Sequence, residues 1–472
     1  MWNTRHADLR SSDYIDIDGA TAFEPQWENL KNIPAATFCG YDTECNCYVA
    51  TLNTPSEDKG TIWSFNSSGE LRWHVNTFQP SLSSLAVDSN GCIYFDDGLQ
   101  FVCLDTHGNQ RWGHPSSAET AAVVILADGR LFVQNVLGAI CIYDHHGKIL
   151  LGNFQLDCKA MKNGCCHAHM PGKLGRYLFK KSAEKIGVSK KYTRQMINRF
   201  FGVGVLAKHV PAIVPELNRI ILINANGENE SYVYGLDIES NSDSVSLVEV
   251  FKTTIPGGAD TSPAISFDGK RFYCSDGQGC CYCLSTETGE ILWELRLPGT
   301  SSASPSVSPD GYIYFSVTTA VIAIKDYISH ADIVWRQDFK QLKPEASKYK
   351  LIANSVLAVT RGYLYGVVSL SQMWLGRPLP KSSCLVIVDR ITGDIKDTTP
   401  LDHESLCTLS IMPCGSILIP SKPILSGLKR LLSSLYNPLS LMHGKPWKFN
   451  GLVKLSPRET VPRSVSYTKR IG

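Results

Sequence analysis

A turn dipeptide followed directly by a short apolar strand recurs along this chain, and this recurrence limits the fold more than any other feature. Glycine and asparagine tolerate the positive φ that a two-residue hairpin turn requires. The pattern therefore predicts successive β-hairpins along the whole chain. The eight dipeptides are Cys45-Asn46, Asn90-Gly91, Asp128-Gly129, Leu217-Asn218, Asp268-Gly269, Asp310-Gly311, Arg361-Gly362 and Cys414-Gly415.

A second marker, Gly-x-x-x-Trp, follows the strand pairs, and a strand with an aspartate near its end lies between the two markers. One unit therefore has four short strands, and the units recur every roughly 38 to 53 residues, a spacing typical of propeller blades that stack radially. The clear copies of the second marker are Gly69–Trp73, Gly108–Trp112 and Gly289–Trp293. The degenerate copies are Gly147–Leu151, Gly393–Asp397 and the segment ending at Trp335.

The unit from Asp260 to Trp293 resembles the quinoprotein-type repeat. That family includes pyrroloquinoline quinone dehydrogenases and a non-catalytic outer-membrane assembly lipoprotein, both with eight blades. The resemblance extends over residues 20 to 457 apart from one insertion. It implies an all-β, eight-bladed propeller forming a single domain over residues 1–472, with seven blades as the alternative. It also implies that the tryptophan and glycine marks dock neighbouring blades, and it leaves the function open.

The last blade lacks its own Gly-x-x-x-Trp mark, whereas the N-terminal segment carries Phe23 to Trp27 without three strands before it. We expect residues 15–30 to form the outer strand of the last blade. Such an arrangement removes an exposed sheet edge that would otherwise favour aggregation.

Two further segments have helical patterns. Residues 155–209 form an insertion between the third and fourth blades, with nine lysines and arginines from Lys173 to Arg199 and apolar Leu174, Tyr177, Leu178 and Ile186 on one helix face. Residues 423–437 form a shorter excursion in the eighth blade, with Leu428, Leu431, Leu432 and Leu435 in register. These amphipathic helices are expected to pack on the propeller, to cover the central funnel as a lid, or to contact a membrane surface.

Composition points to a cytoplasmic monomer. The first residues, MWNTRHADLR, do not lead into the apolar core of a secretory signal, so the sixteen cysteines are expected to be mostly reduced. Forty-six basic residues against forty-four acidic ones give a net charge of +2, too even for a protein that coats itself with nucleic acid. No nucleic acid partner is therefore expected.

A cluster of thiols and imidazoles is a candidate metal site. Soft thiolates and imidazoles can hold Zn²⁺ in tetrahedral geometry, although this spacing is not a paired C-x-x-C pattern. The alternatives are an ordinary cysteine-containing loop, or a disulfide between adjacent cysteines, a feature that the resembled dehydrogenases carry near their cofactor. The candidate ligands are Cys158, Cys165, Cys166, His167 and His169.

The blade register suggests an acid/base site in the funnel. Aligned on the turn markers, His209 and Asp260 come from neighbouring blades and face one channel, where such a pair can move protons. Asn354 and Glu404 lie close to the same ring, and His6 and Asp8 could reach one end of the channel. The alternatives are a ring of polar groups that binds channel water and a solvated N-terminus.

These observations favour an enzyme that binds a small, fairly apolar substrate under a helical lid. Its reaction would be non-redox, of the lyase, isomerase, cyclase or hydrolase type, and would need no cofactor. The alternative is a non-catalytic scaffold for protein or membrane-surface contacts. A quinone-dependent dehydrogenase is the third reading, disfavoured by the absent export signal and the short blades. The chain has no glycine-rich phosphate loop, no H-E-x-x-H and no G-x-S-x-G.

Overall fold

A computed structural model of the chain describes most of the repeat region. The described residues are 4–31, 35–51, 61–77, 85–97, 99–159, 206–207, 209–227, 230–241, 244–258, 261–276, 278–301, 303–339, 342, 349–352, 355–374, 377–401, 408–420 and 450–458. The two predicted helical segments, Lys173 to Phe201 and residues 423–437, lie outside them. Within the described residues the chain is all-β apart from one 3₁₀ turn, Pro215–Leu217.

The described strands form eight antiparallel sheets, one per blade, which confirms the eight-bladed propeller over the seven-bladed alternative. The first strand is β1 (Phe23–Lys31). Blade 1 contains β2 (Ala35–Tyr41), β3 (Cys47–Thr51), β4 (Thr61–Phe65) and β5 (Leu71–Asn76). Blade 2 contains β6 (Ala86–Val87), β7 (Ile93–Asp96), β8 (Gln100–Leu104) and β9 (Gln110–Pro115). Blade 3 contains β10 (Thr120–Ile125), β11 (Leu131–Asn135), β12 (Ile140–Tyr143) and β13 (Ile149–Phe154).

The second half of the ring continues in the same order. Blade 4 contains β14 (Ala212–Val214), β15 (Arg219–Ala225), β16 (Glu230–Ser240) and β17 (Val245–Pro256). Blade 5 contains β18 (Ala264–Ile265), β19 (Arg271–Ser275), β20 (Cys280–Ser285) and β21 (Ile291–Arg296). Blade 6 contains β22 (Ser306–Val307), β23 (Tyr312–Val317), β24 (Ala320–Asp326) and β25 (Ala331–Asp338). Blade 7 contains β26 (Tyr349–Ile352), β27 (Ala358–Val359), β28 (Tyr363–Trp374), β29 (Arg377–Asp389) and β30 (Ile395–Leu401), and blade 8 contains β31 (Ser410–Ile411), β32 (Ile417–Pro420) and β33 (Asn450–Pro457).

The N-terminal strand β1 pairs with β33 and is the outer strand of blade 8. The sheet order is β1-β33-β32-β31, so one blade contains both early and late parts of the chain. This pairing joins the ring through backbone hydrogen bonds instead of leaving two free sheet edges.

Five of the eight turn markers form three-residue hairpin loops, one residue longer than the expected two-residue turn. Arg361-Gly362 forms the expected two-residue turn, and the loops at Leu217-Asn218 and Asp268-Gly269 have four residues. At Asp128-Gly129 the amide of Gly129 donates to the carbonyl of Leu126 at 3.0 Å, and the amide of Leu126 donates to the carbonyl of Arg130 at 2.7 Å. Gly129 has φ +85°. A three-residue loop of this kind consists of a type I turn followed by a left-handed residue. At this marker the positive φ is confirmed, and the two-residue length was wrong because Gly129 is the third loop residue. In blade 1 the left-handed residue is Cys45, with φ +62°, instead of the expected Asn46.

The Gly-x-x-x-Trp marks join neighbouring blades, as the sequence predicts. A Cβ atom at Gly108 would lie 2.9 Å from the Trp73 ring, so only glycine leaves room for it. The Trp73 indole N–H donates to the carbonyl of Thr106 at 2.8 Å. The same close approach joins Trp27 to Gly69, Trp112 to Gly147 and Trp335 to Gly393. Phe251 occupies the corresponding position against Gly289.

A β-bulge lies directly before each of these docking positions. In blade 2, Cys103 pairs with Trp112 and Leu104 pairs with Gln110, so Arg111 is the extra residue of the outer strand. A bulged residue leaves the ladder and its side chain is redirected. The equivalent bulged residues of the other blades are Gln26, Arg72, Leu150, Val250, Leu292, Val334 and Lys396.

The apolar core lies between the faces of adjacent blades. Phe101 of blade 2 stacks on Tyr143 of blade 3 with ring centroids 5.4 Å apart, and buried Ile221 of blade 4 packs in one cluster with Phe272 of blade 5. No helix among the described residues is long and apolar enough to cross a bilayer.

Candidate functional site

Residues 4–20, which we call the strap, lie across the inner strands of blades 4 to 7. Strap carbonyls accept hydrogen bonds from one inner-strand amide in each of these four blades. The pairs are Leu9 with Ile213 at 2.6 Å, Arg10 with Ile265 at 2.8 Å, Ser12 with Val307 at 2.9 Å and Asp13 with Val359 at 2.8 Å. Inner-strand amides that face the channel need an acceptor, and here the chain itself supplies it.

His6 connects the strap to the channel wall. Its Nδ1 lies 3.0 Å from Oδ2 of Asp13, and its Nε2 lies 3.1 Å from Oγ of Ser262. All three residues are buried, with His6 only 1% exposed and Asp13 fully buried. An ionised carboxylate can only accept, so Nδ1 donates to Asp13, and Nε2 forms a hydrogen bond with the Ser262 hydroxyl. Ser262 Oγ also accepts a hydrogen bond from the Val210 amide at 3.1 Å.

The electrostatic setting of Asp13 is unusual for a carboxylate. Burial raises the pKa of Asp13 from its ordinary value to about 6, against the lowering effects of His6 and Arg5, and the nearby Asp8 carboxylate adds to the rise. Desolvation disfavours the charged form of a carboxylate, which explains the direction. A carboxylate with such a pKa can change its protonation state in mildly acidic solution.

Asp8 holds the loop of the strap together. Its Oδ2 accepts from the Ser12 hydroxyl at 2.6 Å and its Oδ1 accepts from the Ser12 amide at 3.0 Å. Burial of this carboxyl raises the pKa of Asp8, opposed mainly by the Ser12 hydrogen bonds. Ala7, Ser11 and Asp13 all have φ between +54° and +63°. Non-glycine residues remain in this left-handed region only where surrounding contacts hold them there.

The structure describes three of the predicted catalytic residues, His6, Asp8 and His209. His6 is bound to Ser262, Val210 donates to the same hydroxyl, and His209 directly precedes Val210 at the start of blade 4. Blades 4 and 5 thus meet the strap near the predicted His209 position. Asp260, Asn354 and Glu404 lie outside the described residues, as do four of the five candidate metal ligands, Cys165, Cys166, His167 and His169.

The one described member of the candidate metal cluster, Cys158, has local partners. Its thiol lies 3.5 Å from the carbonyl of Leu156, and Asn224 Nδ2 lies 3.7 Å from the sulfur. Over the described part of the chain, no three histidine, cysteine, aspartate or glutamate residues are grouped as metal ligands. The zinc site stays a prediction that depends on residues outside this part.

Sequence reasoning missed Asp13 and Ser262. Ser262 precedes Pro263, and the next blade repeats the pair as Ser304-Pro305. The Ser262 amide donates to Ser304 Oγ at 3.0 Å, so the repeated serines connect the blades. This recurring Ser-Pro pair was a usable signal. No sequence signal indicates the contact between His6 and Asp13, because this contact depends on how the strap folds back on itself.

On the described inner strands of blades 4 to 7, the residues present do not fit a quinone cofactor with its calcium ion. Such a site needs several carboxylate or carbonyl oxygens around the cation. On the described wall of blades 4 to 7 the buried polar groups His6, Asp13 and Ser262 bind one another, and the inner amides bind the strap. We derive no quinone chemistry from these residues.

Comparisons with known proteins agree with this architecture. A family model described as outer membrane protein assembly factor BamB matches residues 58–150 and 234–405. Protein Rv3035 of Mycobacterium tuberculosis is 22% identical over 357 residues, covering 71% of this chain and 76% of that protein. BamB from Moraxella catarrhalis matches with a TM-score of 0.53 at 11% identity, over 93% of this chain and 98% of that one.

A europium-containing methanol dehydrogenase matches with a TM-score of 0.54 at 11% identity, over 96% of this chain and 98% of that one. An assembly factor and an enzyme thus resemble this chain equally well. At this level of identity the likeness of solved structures shows the fold alone.

Proposed function

This chain belongs to the PQQ-like propeller family described as outer membrane protein assembly factor BamB, and from this premise we propose that it is a non-catalytic scaffold that binds other proteins. One observation carries the proposal: strap carbonyls bind the inner-strand amides of four consecutive blades. Those amides are groups that an open funnel would offer to a ligand. His6 and Asp8, two of the predicted acid/base residues, form hydrogen bonds that hold the strap: His6 with Asp13 and Ser262, and Asp8 with Ser12.

The outer rim of blades 4 to 6 offers a surface for a partner. The bulged residues there are apolar and exposed: Val250 at 42%, Leu292 at 38% and Val334 at 46%. In blades 2 and 7 the same position holds Arg111 and Lys396. Exposed apolar side chains grouped on one arc of a surface are typical of protein contact sites. We call these three residues the apolar rim.

The test compares proteins recovered with the full chain and with variants. Leu292→Lys combined with Val334→Lys places two charges on the apolar rim. Leu137→Lys, at a side chain 48% exposed on blade 3, is the matched control. A partner that cross-links to the wild type and the control, and that loses affinity for the rim variant by tenfold or more when both proteins are purified, supports the proposal. Equal affinity for all three proteins contradicts it.

A second candidate function follows from the geometry of Ser262, His6 and Asp13. Hydroxyl, imidazole and carboxylate are joined in the order found in serine hydrolases, at 3.1 Å and 3.0 Å. This arrangement supports the sequence-based hypothesis of a non-redox enzyme with a small, fairly apolar substrate. The burial of the hydroxyl and the hydrogen bond that it accepts from Val210 disfavour nucleophilic attack. For these reasons the enzyme remains the second candidate.

A fluorophosphonate probe separates the two functions. An active serine hydrolase forms a covalent adduct at Ser262, which peptide mass spectrometry identifies, and Ser262→Ala or His6→Ala abolishes it. A scaffold gives no adduct at Ser262 while the chain is folded. Exposed serines such as Ser68 serve as the internal measure of background labelling.

The surroundings expected from the sequence remain part of the proposal. We propose a cytoplasmic monomer that has no nucleic acid partner and requires no cofactor. In this proposal the two predicted amphipathic helices form a lid, or they form additional docking surfaces or peripheral membrane surfaces. Cell fractionation tests the location, and light scattering tests the oligomeric state.

A further inference from the structure

Two cysteines and an arginine form a compact cluster in blade 2, away from the strap and the apolar rim. Cys92 directly precedes β7, and Cys103 lies on β8, opposite Tyr94. Both are buried, Cys92 at 5% exposure and Cys103 at 0%. Cys103 belongs to the same buried cluster as Cys92 and Tyr94.

The β-bulge of the outer strand brings the arginine to this pair. Arg111 is the unpaired residue between Gln110 and Trp112, and its Nη1 lies 3.3 Å from Cys92 Sγ. A guanidinium at this distance stabilises a thiolate by charge and by hydrogen bonding. The other charged or titratable groups around Cys92 are Asp88 and Tyr94, and the Tyr94 hydroxyl donates to Asp88 at 2.9 Å.

The electrostatics agree with the geometry. The hydrogen bond with Cys103, together with Arg111, lowers the pKa of Cys92 to about 6, although burial acts in the opposite direction. The pKa of Cys103 is raised, first by its hydrogen bond to Cys92 and then by burial. These directions favour the thiolate at Cys92 and the thiol at Cys103.

Blade 1 has the same local architecture without the thiols. Its bulged residue Arg72 donates to Tyr48 Oη at 3.1 Å and to Ser64 Oγ at 3.0 Å. Ser64 pairs with Trp73 as Cys103 pairs with Trp112, so the serine occupies the place of Cys103. Asn46 occupies the place of Cys92 relative to its turn. Blades 1 and 2 thus share the arginine, whereas thiols occupy both of these two positions in blade 2 and neither of them in blade 1.

We propose that Cys92 is an oxidisable thiolate that reacts with hydrogen peroxide and is then captured by Cys103 as a disulfide. The Cys92 thiolate attacks one peroxide oxygen, the O–O bond breaks, and the leaving hydroxide takes up a proton to give water. Cys92 is then a sulfenic acid. The Cys103 thiol attacks the Cys92 sulfur, the S–S bond forms, and the sulfenic oxygen leaves as water with the thiol proton. Peroxide is the oxidant, and the two cysteines are oxidised.

The test is differential alkylation of the folded full chain after limiting hydrogen peroxide, followed by peptide mass spectrometry. The wild type is expected to yield a Cys92–Cys103 linked peptide. Cys103→Ser removes the capturing thiol, so dimedone is expected to label Cys92 at least tenfold more than in the wild type. The exposed Cys414 and the half-buried Cys280 are internal controls in the same digest.

Arg111→Gln tests the role of the arginine. The pH midpoint of Cys92 alkylation in the absence of peroxide is expected near 6 in the wild type and at least one pH unit higher in this variant. If Cys414 or Cys280 is oxidised before Cys92 in the wild type, or if Cys92 in the Cys103→Ser variant gives no dimedone adduct, the proposal is overturned. An unchanged midpoint in Arg111→Gln likewise overturns the assigned activation.

Discussion

Removing the His6 side chain should release the strap from the channel. In His6→Ala the Asp13 carboxylate stays buried but loses its partner at 3.0 Å, and Ser262 loses its imidazole partner. Breaking a buried, hydrogen-bonded pair by removing one partner costs about 3–5 kcal/mol. Each strap-to-wall backbone bond contributes only about 0.5–1.5 kcal/mol net, so the loss is comparable to several of those bonds.

Amide hydrogen exchange measures this release at individual residues. The amides of Ile213, Ile265, Val307 and Val359 donate to the strap. A loss of about 3 kcal/mol in strap docking accelerates their exchange by roughly 100-fold when they open locally. The amide of Ile221, which lies within the blade 4 ladder, should keep its protection.

Two variants make the result decisive. His330→Ala removes an exposed histidine from a turn of blade 6 and should leave all of these amides unchanged. The double variant His6→Ala with Asp13→Ala should cost less than the sum of the single changes, because no carboxylate is then left buried without a partner. If His6→Ala leaves exchange at the strap-bound amides unchanged, the anchoring role of His6 is refuted.

Two further predictions concern blade docking and acidity. Gly108→Ala and Gly129→Ala both place alanine at φ near +85°, which costs about 1–2 kcal/mol each, but only Gly108 faces a ring, that of Trp73. Denaturant unfolding should therefore show Gly108→Ala to be less stable than Gly129→Ala by a further 1–3 kcal/mol or so, and equal losses would contradict the docking role. Because the pKa of Asp13 is raised to about 6, this carboxyl is protonated to a greater extent in the folded than in the unfolded chain between about pH 4 and 6. The stabilisation from this proton uptake is thus fully present below pH 4 and is lost as the pH rises through 6. Asp13→Asn should remove this pH dependence of the free energy of unfolding, measured by equilibrium unfolding across the same range.

The architecture was largely predictable because its signals are local and repeated. A left-handed turn residue such as Gly129 recurs in many blades, and so does a close glycine–tryptophan contact such as that of Gly108 and Trp73. A single degenerate copy therefore does not change the predicted fold. The loop length was less predictable, since an Asp-Gly pair fits both the two-residue turn and the three-residue loop. Phe251 in a docking position also shows that the ring contact tolerates another aromatic residue.

The site was less predictable because its contacts are not repeated. The register argument selected His209, whose neighbour Val210 donates to Ser262. It could not supply His6 as the partner of Ser262, because their contact joins residues 256 positions apart through a segment outside the repeat. Nor could spacing indicate that Asp13 folds back onto His6, which depends on left-handed residues without a glycine signature.

The strap and the strand that closes the ring form one continuous N-terminal segment, and this short segment contacts many blades. Residues 4–31 bind the inner strands of blades 4 to 7, form the outer strand of blade 8, and reach blade 1 where Trp27 contacts Gly69. They therefore contact six of the eight blades. Repeat arrays otherwise depend on nearest-neighbour contacts. Because one segment connects distant blades, release of the strap at His6 should also weaken the pairing of β1 with β33, so that strap and closure open together rather than independently.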